Sequence, residues 1–231
     1  MEITISENME LLEMGKTPFI ESGDCSDEIV LKFDNSNELY VSQNFLSYAS
    51  PVFKAMFQTG FKEIEERTVN LKGKDYDDVL ELLMCIHPAI LKPVDRSNVL
   101  RLLALTDEYH ITVIKEKCEQ VLNVWLEEIK NSAQSSPNVS STKHYQRAEV
   151  CLKILAVAVS VNHEDLMKSA IDVLSLCRFK AITGLHFTTS YEKSDDDPVK
   201  HRESCAKIFG DLPDEMKVKV LTARLQKCDN C

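Results

Sequence analysis

Apolar residues near the start of the chain occur in short runs separated by turn-forming residues, a pattern that predicts β-strands. An apolar run at residues 28–33 ends in the turn-forming cluster 34–37, and a second run at 39–41 follows it directly. Two such runs around a short polar turn predict a hairpin. A third short strand is predicted at residues 68–71. So few strands indicate a small sheet and not an all-β domain.

Apolar residues elsewhere recur every three to four positions, which predicts amphipathic helices over most of the chain. Ser42, Ser50 and Asp75 stand where helix N-caps are expected, Pro51 stands at a first helical position, and Pro88 ends a helix. Further helices are predicted at residues 99–109, 112 to about 129, 150–161 and 166–176, with a last one that Pro213 opens. The pattern indicates an α+β module followed by an all-helical block.

Two polar stretches interrupt this helical pattern. Residues 131–144 are rich in serine, contain a proline and show no apolar period, which predicts a linker or loop. Residues 188–204 form a second polar interruption. We therefore expect four regions, namely an N-terminal segment (1–24), an α+β domain (25–129), a polar linker or loop (130–147) and a helical region (148–231).

The composition narrows the classes of function. The 231 residues include 27 basic and 37 acidic side chains, and the net charge of −10 disfavours a nucleic-acid partner. No apolar run is long enough for a membrane span, and the N-terminus lacks the apolar core of a signal peptide, so we expect no membrane partner. Of the eight cysteines, Cys25, Cys85, Cys118, Cys151 and Cys177 are widely spread and lie mostly in apolar surroundings, which favours reduced thiols in a cytoplasmic or nuclear protein.

Candidate catalytic and metal-binding residues are sparse. Gly73-Lys74 lacks the preceding glycine of a phosphate-binding loop, and no nucleophile stands with a recognisable base. For His87 and His110 a partly exposed ring is a simpler interpretation than a metal ligand. Cys228 and Cys231 have the spacing of a ligand pair, but no second Cys or His pair lies nearby. We expect no enzymatic activity and no cofactor.

The order of several short motifs across residues 25–122 resembles a BTB/POZ domain, particularly the nematode kind found behind a MATH domain. The motifs are Cys25-Ser26-Asp27, Phe45-Leu46-Ser47, Ser50-Pro51-Val52-Phe53 with Lys54-Ala55-Met56-Phe57, Phe61-Lys62-Glu63, Ile86-His87-Pro88, the segment 103–109 and Cys118-Glu119. Residues 148–180 and 211–226 are more weakly similar to the BACK-type helical extension of such proteins. The resemblance implies a small sheet flanked by helices, used for protein interaction and self-association.

The resemblance also implies a partner, a cullin-3 ubiquitin ligase scaffold. Cullin-binding relatives carry a hydrophobic residue, any residue and Glu after the helix that begins Ser-Pro-Val-Phe, and Phe61, Lys62 and Glu63 occupy this motif here. An apolar anchor would bury contact area, and the neighbouring carboxylate would fix its register. The alternative is that Phe61 packs on its own domain and that Glu63 is surface charge.

A two-fold dimer interface is a further implication, with Met9, Leu11, Leu12, Met14 and Phe45 as its candidate residues. Leu11, Leu12 and Met14 cannot all face one narrow stripe of a helix, which leaves apolar surface for a partner. The alternative is an intramolecular core for all five residues.

The chain departs from the family pattern at two points. Ser42-Gln43 stands where a His and a basic residue are usual. Asp27 then lacks its basic partner and must be hydrogen-bonded, paired elsewhere or exposed. As the second departure, we expect no MATH, Kelch-repeat or zinc-finger module. We expect a dimeric, non-enzymatic adaptor that brings an unknown substrate to cullin-3 through residues 148–226. The alternative is a scaffold or regulator of other BTB proteins without cullin binding.

Overall fold

The computed structural model describes residues 18–23, 25–58, 66–135, 140–184 and 198–228. The chain divides into two units between Cys118 and Glu119, inside a long helix. The elements, in chain order, are β1 (Glu28–Lys32), β2 (Glu38–Ser42), α1 (Gln43–Ala49), α2 (Pro51–Met56), β3 (Thr68–Asn70), α3 (Tyr76–Ile86), α4 (Val99–Glu108), α5 (Thr112–Ser135), α6 (Ser141–Ser160), α7 (Glu164–Leu174), α8 (Phe179–Thr183), α9 (Pro198–Asp211) and α10 (Asp214–Cys228). This α+β unit with a following helical block confirms the predicted fold class.

The first unit is built on a three-stranded sheet in the order β2-β1-β3. Strands β1 and β2 form the predicted antiparallel hairpin, with Leu31 opposite Leu39. Strand β3 is parallel to β1 and places Val69 beside Leu31. All three side chains are buried. The alternation of buried and half-buried residues in these strands directs one face of the sheet into the core.

The helices of the first unit begin where the capping residues predict. Ser42 Oγ accepts a hydrogen bond from the Phe45 N–H, and Ser50 Oγ accepts one from the Phe53 N–H. Asp75 caps α3 in the same way, and Pro51 is the first residue of α2. Each cap satisfies a backbone donor that the first helical turn leaves unpaired. These local bonds fix the starts of α1, α2 and α3.

The second unit is helical throughout its described residues. Helix α6 packs against α7, α8 and α9, and α10 packs against α7. Its core side chains are fully or almost fully buried: Leu122, Leu126, Cys151, Leu152, Ile154, Leu155, Leu166, Ala170, Leu174, Ile182, Cys205 and Val220. Gly184 ends α8 with φ +64°, and a Cβ at this position would lie 2.5 Å from Ala206 Cβ. Glycine is therefore required where α8 meets α9.

The prediction of a linker or loop at residues 130–147 is wrong for most of that stretch. Helix α5 continues to Ser135, and α6 begins at Ser141. Arg147 Nη2 donates to the Ser132 carbonyl (2.9 Å), and Ser140 Oγ accepts from the Lys143 N–H. Polar residues can continue a helix when such contacts stabilise them, although their pattern has no apolar period.

The polar interruption predicted at residues 188–204 is also partly wrong. Helix α9 begins at Pro198, a residue suited to the first turn of a helix. His201 and Ser204 of this helix bind a carboxylate of α6, and the next residue, Cys205, is fully buried. Residues 185–197 lie outside the described residues.

Candidate protein-interaction surface

A buried serine fixes helix α2, the helix that leads toward the predicted cullin motif. Ser50 is fully buried, and its Oγ donates to the Tyr109 carbonyl at 2.6 Å while it caps α2. The Phe53 and Tyr109 rings stack with their centroids 4.6 Å apart. Burial raises the pKa of Tyr109 to about 12. Helix α2 is therefore held on the end of α4 by one hydrogen bond and one ring stack.

Phe61, Lys62 and Glu63 follow this helix in the sequence but lie outside the described residues. Met9, Leu11, Leu12 and Met14 also lie outside them. Their roles in cullin contact and dimerisation stay predictions.

Phe45, the remaining candidate for the dimer interface, is half-buried on α1. Its ring lies 6.4 Å from that of Phe19, in a stacked arrangement, and 5.6 Å from that of His87. Burial lowers the pKa of His87 and so favours the neutral ring. Phe45 thus has intramolecular partners and also an exposed part, and both predicted roles for it stay open.

Tyr48 is a surface residue that the sequence reasoning missed. Its side chain is 96% exposed, whereas Leu46 of the same helix is fully buried. Residues three apart on a helix are neighbours, so Phe45 and Tyr48 lie side by side on α1. This spacing was visible in the sequence and could have identified the pair. Helix α1 therefore presents two aromatic side chains on its outer part.

The Asp27 carboxylate is hydrogen-bonded although Ser42-Gln43 replaces the His and basic residue that are usual in the family. Asp27 Oδ2 accepts hydrogen bonds from Ser42 Oγ (2.6 Å) and from the Asn44 N–H (2.9 Å). The Ser42 hydroxyl, followed by the Asn44 amide, lowers the pKa of Asp27. Of the three possibilities for this carboxylate, hydrogen bonding is confirmed. Asp27 binds the start of α1 through neutral donors in place of a basic side chain.

The remaining candidates for chemistry fit structural roles. Burial raises the pKa of Cys85 to about 11 and those of Cys177 and Cys205 to about 12. His110 is exposed, with its Nδ1 2.8 Å from the Asp107 carbonyl. Within the described ranges, no three His, Cys, Asp or Glu side chains converge as metal ligands. Within the same ranges, no helix combines the length and apolar character that a membrane span needs.

The family of the first unit follows from comparison with known proteins. The BTB/POZ domain model matches residues 19–124, which include the sheet, helices α1 to α4 and the start of α5. Residues 19–124 thus match the BTB/POZ domain that the motifs of this region indicated. BTB/POZ domains are protein-interaction modules, and the match supports such a role for this region of the chain.

Two curated relatives from Caenorhabditis elegans match this region. BTB and MATH domain-containing protein 38 is 39% identical over 88 residues, which are 38% of this chain and 22% of that protein. BTB and MATH domain-containing protein 42 is 24% identical over 101 residues, which are 43% of this chain and 23% of that protein. The chain thus matches less than a quarter of the length of either relative. The likeness covers the BTB region and supports a protein-interaction adaptor.

Proposed function

We propose that this BTB protein is an adaptor that recruits a cullin-3 ubiquitin ligase to a protein substrate for ubiquitination. The observation that carries the proposal is the triplet Phe61-Lys62-Glu63, which follows helix α2 within the matched BTB/POZ region. Its hydrophobic–any–Glu pattern is the one that the family resemblance associates with cullin contact. Substrate binding would then fall to the helical second unit.

The setting of α2 supports this proposal. Ser50 and Phe53 attach α2 to Tyr109, so the helix before the triplet has a fixed position in the first unit. Binding costs less ordering entropy when the elements that carry the contact residues are fixed beforehand. A fixed α2 is therefore a suitable base for a contact that uses the residues after it.

The test is a calorimetric titration of the full chain against the N-terminal domain of cullin-3. We expect Phe61→Ala to weaken binding by about 2 kcal/mol, the typical effect of removing an apolar interface anchor, and Glu63→Ala to weaken it as well. Lys62→Ala is the matched control, since the motif accepts any residue there. Wild-type affinity in a folded Phe61→Ala variant would contradict the cullin motif.

Self-association is the second part of the proposal, and the exposed Tyr48 beside Phe45 favours it. An exposed tyrosine beside a half-buried phenylalanine on one helix suits a protein interface, where aromatic side chains are enriched. A two-fold dimer would be isologous and would add the N-terminal residues Met9, Leu11, Leu12 and Met14. Light scattering over a dilution series should show a dimer that Phe45→Ala weakens.

The alternative function is a scaffold that pairs with other BTB proteins and binds no cullin. The same aromatic residues of α1, Phe45 and Tyr48, would serve this function. Formation of heterodimers without ubiquitination of any bound protein would favour the scaffold, and cullin binding would favour the adaptor. We further propose a cytoplasmic or nuclear location, supported by the five buried thiols of Cys85, Cys118, Cys151, Cys177 and Cys205. Imaging of the tagged full chain in cells checks this location.

A further inference from the structure

A cleft of about 410 Å³ lies between α5 and α7 in the second unit. Leu126 and Val173 are buried at its base, and Val124 contributes an apolar side chain that is 58% exposed. Asn123, Glu127 and Ser169 supply polar groups around it. An apolar base with a polar rim is the usual composition of a protein-binding surface.

An ion pair between α5 and α7 lies in the wall of this cleft. Lys130 Nζ lies 3.1 Å from Asp172 Oδ2, and Lys227 Nζ of α10 lies 4.0 Å from Asp172 Oδ1. The α5 residues that line the cleft run from Asn123 to Lys130, a distance of about 10 Å at the rise of an α-helix. The cleft can therefore accept about two turns of a partner helix or a short extended segment.

The part of α5 that lies in the second unit and helix α7 are both acidic. Residues 119–135 and 164–174 together contain six acidic and two basic side chains, a net charge of −4. Residues 198–228 of the same unit contain seven basic and four acidic side chains, a net charge of +3. Of the charged side chains on α5 and α7, Glu127, Asp172 and Lys130 line the cleft itself, so acidic groups outnumber basic ones there as well. This charge complements a basic partner, because opposite charges steer association and fix register.

We propose that the α5–α7 cleft binds a basic amphipathic segment of the substrate protein. An apolar side chain of that segment would contact Val124, and a Lys or Arg would lie opposite Glu127. Such binding follows the helix-in-groove mode, in which apolar anchors recur every three to four residues. The inference rests on the proposed adaptor function, since it assigns the surface that holds the substrate.

The test uses a labelled helical peptide of about 14 residues, long enough to fill the cleft. Leucines recur on one face of the peptide, and the other positions are lysine. A matched peptide carries glutamate in place of lysine. Fluorescence anisotropy with the full chain should show binding of the lysine peptide, and added salt should weaken it. Glu127→Lys and Val124→Ser should each weaken binding about tenfold or more, as expected for interface anchors.

Two variants on the basic helices are matched controls. Glu203→Lys changes the net charge of the chain by the same amount as Glu127→Lys, but at an exposed site on α9. Val218→Ser removes an equally exposed valine from α10. Both controls should bind the lysine peptide as the wild type does. Equal losses in the control variants would show non-specific attraction and would overturn the proposal.

Three other results would also overturn the cleft proposal. They are no binding by the wild type, equal binding of the glutamate peptide, and a fall in oligomer mass caused by Glu127→Lys, which would assign the cleft to a second copy of this chain. The cullin-3 titration on the same preparation separates the two hypotheses. Peptide binding without cullin binding would support the cleft proposal and contradict the cullin proposal. Cullin binding without peptide binding would contradict the cleft proposal alone.

Discussion

The two units hold their helices together with different kinds of polar contact. In the first unit, the neutral Ser50 hydroxyl binds the Tyr109 backbone and fixes α2. In the second unit, the buried carboxylate of Glu149 binds Ser204 Oγ (2.8 Å), Lys153 Nζ (2.6 Å) and the His201 ring, and so joins α6 to α9. A neutral contact is insensitive to pH, whereas an ionic cluster depends on protonation. The attachment of α9 should therefore respond to acid, and that of α2 should not.

The largest expected loss of stability follows from a substitution at Gly184 in the second unit. Gly184→Ala would place a Cβ 2.5 Å from Ala206 Cβ and 2.7 Å from the Arg202 carbonyl oxygen, at φ +64°. Steric overlap and backbone strain together should destabilise the unit by about 3 kcal/mol. Urea unfolding followed by the fluorescence of Trp125, which lies in the second unit, measures this loss.

Gly73→Ala is the matched control in the first unit. Gly73 has a similar φ of +70°, but a Cβ there would meet nothing within 4 Å. Only backbone strain remains, so the loss should be about 1 kcal/mol. Equal losses in the two variants would contradict the close approach of α8 and α9.

The second-largest expected loss of stability comes from breaking the Ser50–Tyr109 hydrogen bond of the first unit. Ser50→Ala removes the hydrogen bond to Tyr109 and the cap of α2, and it leaves a buried carbonyl without its donor. We expect a loss of about 2 kcal/mol. Hydrogen exchange of α2, resolved by mass spectrometry, should rise more in this variant than in Ser42→Ala, which removes a half-buried cap. No difference between the two variants would argue against the Ser50–Tyr109 contact.

A smaller effect tests the ionic cluster of the second unit. Burial opposes ionisation of Glu149, but donors on Lys153, His201 and Ser204 outweigh it and hold the pKa of Glu149 below its ordinary value of 4.5. A lowered pKa contributes stability that is present above about pH 4.5 and is lost as the pH falls through the folded-state pKa. Glu149→Gln should cost about 1 kcal/mol at pH 7 and should reduce the acid-induced loss.

Unfolding of the wild type and Glu149→Gln at pH 7, 5 and 4 checks this expectation. The difference in the free energy of unfolding between the two proteins should shrink toward pH 4, because the wild type loses its advantage there. A constant difference at all three values would mean that Glu149 is not the acid-sensitive group. Ser50→Ala is the control, since its effect should not vary with pH.

The smallest effect on stability is expected at Tyr48. Tyr48→Ala removes a side chain that is almost wholly exposed, so the free energy of unfolding should change by no more than about 0.5 kcal/mol. Its effect should appear in association, as a weaker dimer in a dilution series. A clear loss of stability in the monomer would show that Tyr48 packs within its own unit.

Local signals explain why the first unit could be predicted from the sequence. Ser42, Ser50 and Asp75 were correctly identified as caps, since a cap bonds to residues two or three positions away. The turn residues at 34–37 likewise marked the hairpin. Such signals need no knowledge of distant contacts.

The errors lie where distant contacts decide the structure. Arg147 supports the helical residues 131–135, and Glu149 supports the helical residues 198–204. These partners are 15 or more positions away in the sequence, so no local pattern reveals them. The α5–α7 cleft also joins residues about 45 positions apart. At the candidate interaction surface the family motif supplied Phe61, Lys62 and Glu63. The spacing of Phe45 and Tyr48 was visible in the sequence, but the exposure of Tyr48 required the fold.

The buried cysteines allow the opening of each unit to be measured separately. Cys85 lies in the first unit, whereas Cys151 and Cys177 lie in the second, and all three are buried with a raised pKa. An alkylating reagent needs an accessible thiolate, so each sulfur can react only after its surroundings open. The rates at which these cysteines become labelled therefore record how often each unit opens, at its native residues and without an added probe.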